Sequence, residues 1–368
     1  MITRRQFGAR LSAALACAPV RAASYAKPPY PESPVIGSVE FDWSTHKRDA
    51  DGSDNWQFTW ADDDHQYGAW GDGGGFGGTN SNGRVSLGVA RIEGPWQNYT
   101  GVNVWGGKNA LNPATVDGKS WGMISVRGVL YMWVVPGSPL NAMQREARLY
   151  RSRDHAATWQ PADWAMVRHE DLSIPTICQF GRDYSGARDR FVYHYFIHPR
   201  EEKSDTIQRP GTVYLARCPD ESLMDRSTYE FFAGIAGGRP TWTKNIAQKR
   251  PVFEDRENGT GWVLSVTYNQ GLRRYLLMTD HITSNRGNLG IFDAPEPWGP
   301  WTTVLYLDEA RGTNFGAGRI EPNTFFWNMP TKWQSRDGLD FTMVFTGSGR
   351  GKNNDSFNLV RGRFEIRK

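Results

Sequence analysis

Asp54-Asn55-Trp56-Gln57-Phe58-Thr59-Trp60-Ala61-Asp62-Asp63-Asp64-His65-Gln66-Tyr67-Gly68-Ala69-Trp70-Gly71-Asp72-Gly73 reads as two short aromatic strands around a polar turn. In a hairpin, the residues before the first strand and after the second lie at the same end. Asp54 and Asp72 are therefore expected together at one end, with Asp62, Asp63, Asp64 and His65 at the opposite turn.

The chain repeats this hairpin with different chemistry. First strands are expected at 56–61, 121–126, 174–180, 262–268 and 323–329. Second strands start at Tyr67, Tyr131, Tyr193, Tyr275 and Phe341, in steps of 64, 62, 82 and 66 residues. Third strands centre on Arg91, Arg151, Arg217, Asp293 and Arg361, and the recurring Arg makes a shared register more than coincidence. Forty Gly and 21 Pro, with few segments of helical period, fit many short strands joined by tight turns. Repeated antiparallel units of this size imply an all-β chain folded as a five-bladed β-propeller over residues 35–368. The strand at 35–43 is expected to join the last strand, 357–366, and close the ring. Ser152-Arg153-Asp154-His155-Ala156-Ala157-Thr158-Trp159 resembles the Asp-box turn of sialidase-like propellers, which assigns Asp154 and His155 to structure.

Ahead of the propeller, Thr3-Arg4-Arg5-Gln6-Phe7 precedes an apolar run, 11–20, too short to span a bilayer, and then Arg21-Ala22-Ala23. This resembles a twin-arginine export signal over residues 1–22, implying the twin-arginine machinery as a partner and a periplasmic or secreted location. A lipoprotein signal at Cys17 fits less well, because Ala14 stands where Leu is usual. Residues 23–34, with Pro28, Pro29, Pro31 and Pro34, read as an extended leader. Residues 1–22 carry Arg4, Arg5, Arg10 and Arg21 and no acid, which leaves 39 of the 43 Lys and Arg residues facing 39 Asp and Glu. A neutral mature chain lacks the basic footprint of a nucleic-acid or anionic-membrane partner. Of the three cysteines, Cys178 and Cys218 remain after processing. Cys178 reads as a buried thiol, and a disulfide stays open. Metal-type Cys/His spacing is absent, so neither metal nor cofactor is expected.

The hairpin rule sorts the polar residues. Asp62, Asp63, Asp64, His65, Asn269 and Asp337 fall on the turn face, where turn formation explains them. The opposite face collects Asp54, Asp72, Asp117, Lys119, Glu170, Asp171 and Glu321. Pro136, His198, Asp280 and Thr346 stand where blade one has Asp72, and the blade-three loop adds Arg200 and Arg209. Trp105 and Trp121 are expected at the same mouth. Carboxylates for acid–base work and flat rings for stacking suit a carbohydrate. Asp54 and Asp72 are the expected catalytic pair, flanked by Gly73-Gly74-Gly75, and Trp105, Lys119, His198, Arg209, Asp280 and Glu321 are the expected substrate contacts.

Asp54-Asn55-Trp56, Trp70-Gly71-Asp72-Gly73, 86–91 and Ala294-Pro295-Glu296-Pro297-Trp298-Gly299-Pro300-Trp301 resemble an exported bacterial five-bladed propeller family, long catalogued as a domain of unknown function, that includes endo-D-arabinanases. The likeness runs from about Asp54 to the C-terminus, and blade one is its most specific part. It implies a glycoside hydrolase whose carboxylate pair falls on Asp54 and Asp72, acting on an envelope or extracellular polysaccharide, an arabinan-type furanoside among the candidates. Two other classes stay open. A polysaccharide lyase would draw on Tyr193, Tyr195, His198, Arg209 and Lys119, and a binding propeller would need no chemistry.

Overall fold

Five small antiparallel sheets make up the computed structural model, which describes residues 25–137, 146–198, 207–261, 264–320, 324–348 and 355–368. They follow one another in the chain as the five blades of a β-propeller. Blade one pairs, in order, Asp54–Trp60, Gln66–Gly71, Leu87–Glu93 and Thr100–Trp105. Blade two begins with Gly118–Val126 and Val129–Pro136, blade three with Ser173–Ile177 and Phe191–Ile197, and blade four with Leu264–Asn269 and Arg274–Asp280. Blade five joins the two ends of the propeller: Phe325–Asn328, Asp340–Thr346 and Phe357–Ile366 are completed by Ile36–Asp49 from the beginning. Among the described residues the helical elements are short 3-10 turns.

The repeat seen in the sequence is a register. Tyr67 pairs with Arg91, Tyr131 with Arg151 and Tyr193 with Arg217 across the second and third strands of blades one to three. In blades four and five the third-strand anchor pairs one residue further on, Leu276 with Asp293 and Thr342 with Arg361. The Asp293 carboxylate is fully buried and receives Arg274 Nε at 2.6 Å, so the acid at blade four's anchor is paired with a cation of the second strand.

Both faces of each blade are covered by neighbours, so the central strands are buried along their length rather than alternating. Trp56 lies against Trp70 with tilted rings 5.4 Å apart between centroids, and packs on Phe76 and Phe357 where blade one meets blade five. Cys178 and Cys218 are free buried thiols, and burial raises both above the ordinary thiol value. The Asp-box turn is held by its own side chains: Asp154 accepts from Thr158 N and Thr158 Oγ1, and Ser152 Oγ from Ala156 N. Residues 25–34 run along the outside of blades three and four. Tyr30 packs on Phe253 and Phe292, while Ser33 and Pro31 exchange backbone bonds with Thr303.

Candidate functional site

The innermost strand of blade one carries a bulge at its outer end. Asp54 pairs with Gly71 and Gln57 with Ala69, so Asn55 and Trp56 together oppose Trp70, and Asn55 takes a left-handed φ of 54°. Blades three and five repeat the device, with Ile174 at 45° and Phe326 at 56°. A β-branched or bulky residue there is strained, whereas Asn tolerates the conformation. Asn55 is fixed by its Nδ2 donating to Ser120 O and its backbone N–H donating to Thr346 Oγ1, so blades one, two and five converge behind Asp54.

Asp54 Oδ1 is sealed from solvent and accepts no hydrogen bond, while part of the residue reaches the mouth. Burial, its largest influence, pushes the carboxyl up to about 8; the Lys119 ammonium opposes this and the Asp72 charge adds to it. Asp72 lies just past the paired end of the second strand, with φ at 55°. Its Oδ1 accepts from Lys119 Nζ, and Arg84 Nη2 stands 3.1 Å from its Oδ2. Gly71 is what lets these groups meet. A Cβ there would lie 2.8 Å from Asp54 Oδ1 and 3.0 Å from Lys119 Nζ. One carboxyl that holds its proton at neutral pH thus neighbours one carboxylate braced by two cations. That division suits an acid and a base or nucleophile.

Of the expected site residues, Asp54, Asp72 and Lys119 come together. Arg84 joins them without having been expected; it follows the turn 80–83, where Arg84 Nη1 donates to Asn80 O, and nothing in its spacing marks it. Trp105 is a correction: 1% exposed, it packs on Trp159 between blades one and two and offers no face to a sugar, and Trp121 is as deeply buried. Asp280 is a second correction, being 3% exposed beneath the loop that follows it. His198 lies on blade three with Nδ1 3.7 Å from Asp171 Oδ1. Arg209 reaches the backbone oxygens of Glu257 and Ile282, tying blade three to blade four. Glu321 lies outside the described residues. The glycines after Asp72 serve the protein's own packing rather than a ligand's approach: a Cβ on Gly73 would fall 2.3 Å from Gly52 O, and one on Gly75 2.5 Å from Asn103 Oδ1. Tyr193 and Tyr195, the lyase candidates, are buried, donate to Asp189 Oδ2 and Pro297 O, and are raised above the ordinary phenol value by burial.

At the opposite mouth, His155 Nε2 lies 2.9 Å from Asp62 Oδ1 and 3.9 Å from Asp63 Oδ2, a group with the composition of a metal site. Its members are exposed or half-buried and already bonded: Asp63 accepts from Tyr67 OH and His65 N.

Residues 95–344 match the family model described as "Domain of unknown function (DUF4185)". No curated protein matches the chain. A Bacteroides ovatus protein described as a candidate hydrolase superposes with a TM-score of 0.54 at 13% identity, over 88% of this chain and 90% of that one. A GH43_1 enzyme from Xanthomonas citri complexed with xylose gives 0.50 at 12% identity, over 86% and 90%. At these identities the likeness is one of fold.

Proposed function

The chain belongs to the DUF4185 family, and we propose that it is a glycoside hydrolase acting on a polysaccharide at the strand-end mouth of its propeller. The observation that carries the reading is the Asp54 carboxyl, whose Oδ1 is buried and unpartnered, beside the ion-paired carboxylate of Asp72. Asp54, protonated at neutral pH, donates its proton to the leaving glycosidic oxygen as the C–O bond breaks. Asp72 attacks the anomeric carbon or deprotonates the water that does. Lys119 and Arg84 hold Asp72 in place, and Lys119 also keeps the proton on Asp54 from being bound too tightly to give up. A shared fold with a xylose-bound GH43_1 enzyme agrees with this chemistry. An arabinan-type furanoside of the cell envelope is the substrate class proposed first, and export through the twin-arginine route is proposed from Arg4 and Arg5.

The lyase reading has less support, since Tyr193 and Tyr195, two of its candidate bases, are buried with raised phenols. The test is a polysaccharide panel, arabinans included, read for new reducing ends and for the ultraviolet absorbance of unsaturated uronates. New reducing ends without unsaturation are expected. Unsaturated products would make the protein a lyase, and binding without any product would make it a lectin-like propeller.

A further inference from the structure

Where blade one meets blade five on the turn side, a groove of about 500 Å3 opens, a size ordinary for ligand sites. One wall is the turn 94–99, which joins the third and fourth strands of blade one and carries the half-buried Trp96. The other is the stretch 331–335 of blade five, footed on the buried Trp333. Trp333 Nε1 donates to Gly94 O at 3.2 Å, so the two walls are tied to each other and the groove is preformed.

Arg361, which lines this groove, is the odd member of its set. Arg91 donates to Glu93, Arg217 to Glu230, and Asp293 receives Arg274, so the third-strand anchors of blades one, three and four are ion-paired within their own blades. Arg151 of blade two bonds the Gln160 amide. The Arg361 guanidinium of blade five has Trp333 O and Thr342 Oγ1, both at 2.9 Å and both through Nη1. It makes no ion pair among the described residues, and burial holds it below its ordinary value, with the Asp340 charge opposing. Asp340 is itself taken by Arg363, whose Nη1 lies 2.9 and 2.8 Å from its two oxygens, and the groove's other acid, Asp64, stands 3.3 Å from Lys332 Nζ. Lys47 repeats the pattern: its Nζ donates to Gln97 O and makes no ion pair among the described residues. Both unpaired cations stand at one ring, Arg361 Cζ 5.1 Å and Lys47 Nζ 5.9 Å from the centroid of Trp96. A partly desolvated cation without a countercharge gains most from an anion, and a guanidinium fork suits a carboxylate.

We propose that this groove binds an acidic polysaccharide, with a uronate carboxylate meeting Arg361 and Lys47 and the sugar lying along the Trp96 wall. The amides of Gln97 and Gln334 line the rest of the groove and supply both donors and acceptors, the chemistry that sugar hydroxyls take. A small inorganic anion would use the cations and leave the indole and the amides idle. The groove opens on the face opposite Asp54 and Asp72, so it holds the protein on a polymer and takes no part in the chemistry of the strand-end mouth. The sequence does not reveal it, because Lys47, Trp96 and Arg361 come from three distant segments.

The experiment is affinity electrophoresis of the mature protein in gels containing polygalacturonate, neutral arabinan or polyglutamate, with dissociation constants taken from the retardation. Polygalacturonate should retard the wild type most, and added salt should weaken the effect, as it does for exposed charges. Trp96→Ala should weaken binding about tenfold, the effect of removing a Trp that anchors a contact. Arg361→Gln should weaken it roughly 10- to 100-fold, the loss of a hydrogen bond between charged groups. Lys47→Met, which leaves the Arg361 bonds to Trp333 and Thr342 in place, decides the point if Arg361→Gln does not fold. Arg84→Gln, at the opposite mouth, should leave binding intact. A wild type that polygalacturonate does not retard overturns the proposal, as does retardation that survives unchanged in folded Trp96→Ala and Lys47→Met or disappears in Arg84→Gln. Arabinan bound as tightly would overturn the acidic class, and polyglutamate bound as tightly would make the ligand an acidic peptide. No turnover is read, so the hydrolase reading can fail or stand without deciding the groove.

Discussion

Both mouths of the propeller carry acids, and they differ in what those acids touch. At the turn mouth Asp63 accepts from Tyr67 OH at 2.8 Å and from His65 N at 3.1 Å, Asp64 from Trp60 Nε1 at 2.9 Å, and Asp62 pairs with His155. Asp63 and Asp64 complete their own turn, and Asp62 is taken up by the neighbouring blade. At the strand-end mouth Asp54 has an oxygen with no partner, and Asp72 is held by cations from two different segments, 84 and 119. Side chains satisfied by their own hairpin have their interactions already made, and those left unsatisfied by the fold remain open to a substrate. Composition does not separate these cases; hydrogen-bond partners do.

The sharpest way to break the contrast is to neutralise the strand-end pair. Asp54→Asn should lower turnover about 10³-fold, within the range that a positioned general acid contributes, with a native circular dichroism spectrum. Asp72→Asn should cost a similar amount while leaving the Asp54 proton in place. Turnover within a fewfold of wild type in either variant would remove that residue from the chemistry.

A pH series sharpens the same point. With Asp54 titrating at about 8, kcat/KM should fall above that pH as the acid loses its proton. Stability follows the same group. Its folded-state value lies above the ordinary value of 3.8, so its contribution is complete at low pH and is lost as pH rises from about 4 through 8. Asn does not titrate, so the Tm of Asp54→Asn relative to wild type should climb over that window. A constant difference would mean that Asp54 is not desolvated. Lys119→Met removes the cation that opposes the burial effect, so the high-pH limb should move upward. Loss of a charged hydrogen bond to Asp72 should lower turnover roughly 10- to 100-fold.

The blades were legible because their anchors are strand pairs. Tyr67, Tyr131 and Tyr193 stand opposite Arg91, Arg151 and Arg217, so equal sequence offsets record equal registers. Asp54 and Asp72 were legible for the same reason, since they flank one hairpin. Trp105 was misplaced because nearness to a strand end does not free a side chain, and in a propeller both faces of a blade are interior. Asp280 was misplaced because strand position does not say that the next loop folds over it. Arg84 reaches Asp72 through the irregular loop 72–86, whose path depends on Ser53 Oγ and Asn103 Oδ1 accepting from Gly75 N and Phe76 N. Those contacts join segments far apart in the sequence.

The smallest effect belongs to the turn mouth and is the control that gives the contrast its meaning. Asp63→Asn keeps one carbonyl oxygen, enough to accept from either Tyr67 OH or His65 N but with less charge behind it. The amide cannot attract His155, whose Nε2 lies 3.9 Å away, as a carboxylate does. The cost in stability should be about 1 kcal/mol, the usual net worth of one such hydrogen bond, read as a shift in denaturant midpoint with an unchanged slope. Turnover on whichever polysaccharide proves active should stay within about twofold, as for a surface change that touches no special feature of the site. A loss of turnover comparable with that of Asp54→Asn, in a variant that remains folded, would mean that the turn mouth also meets the substrate, and the division between the two mouths would fail.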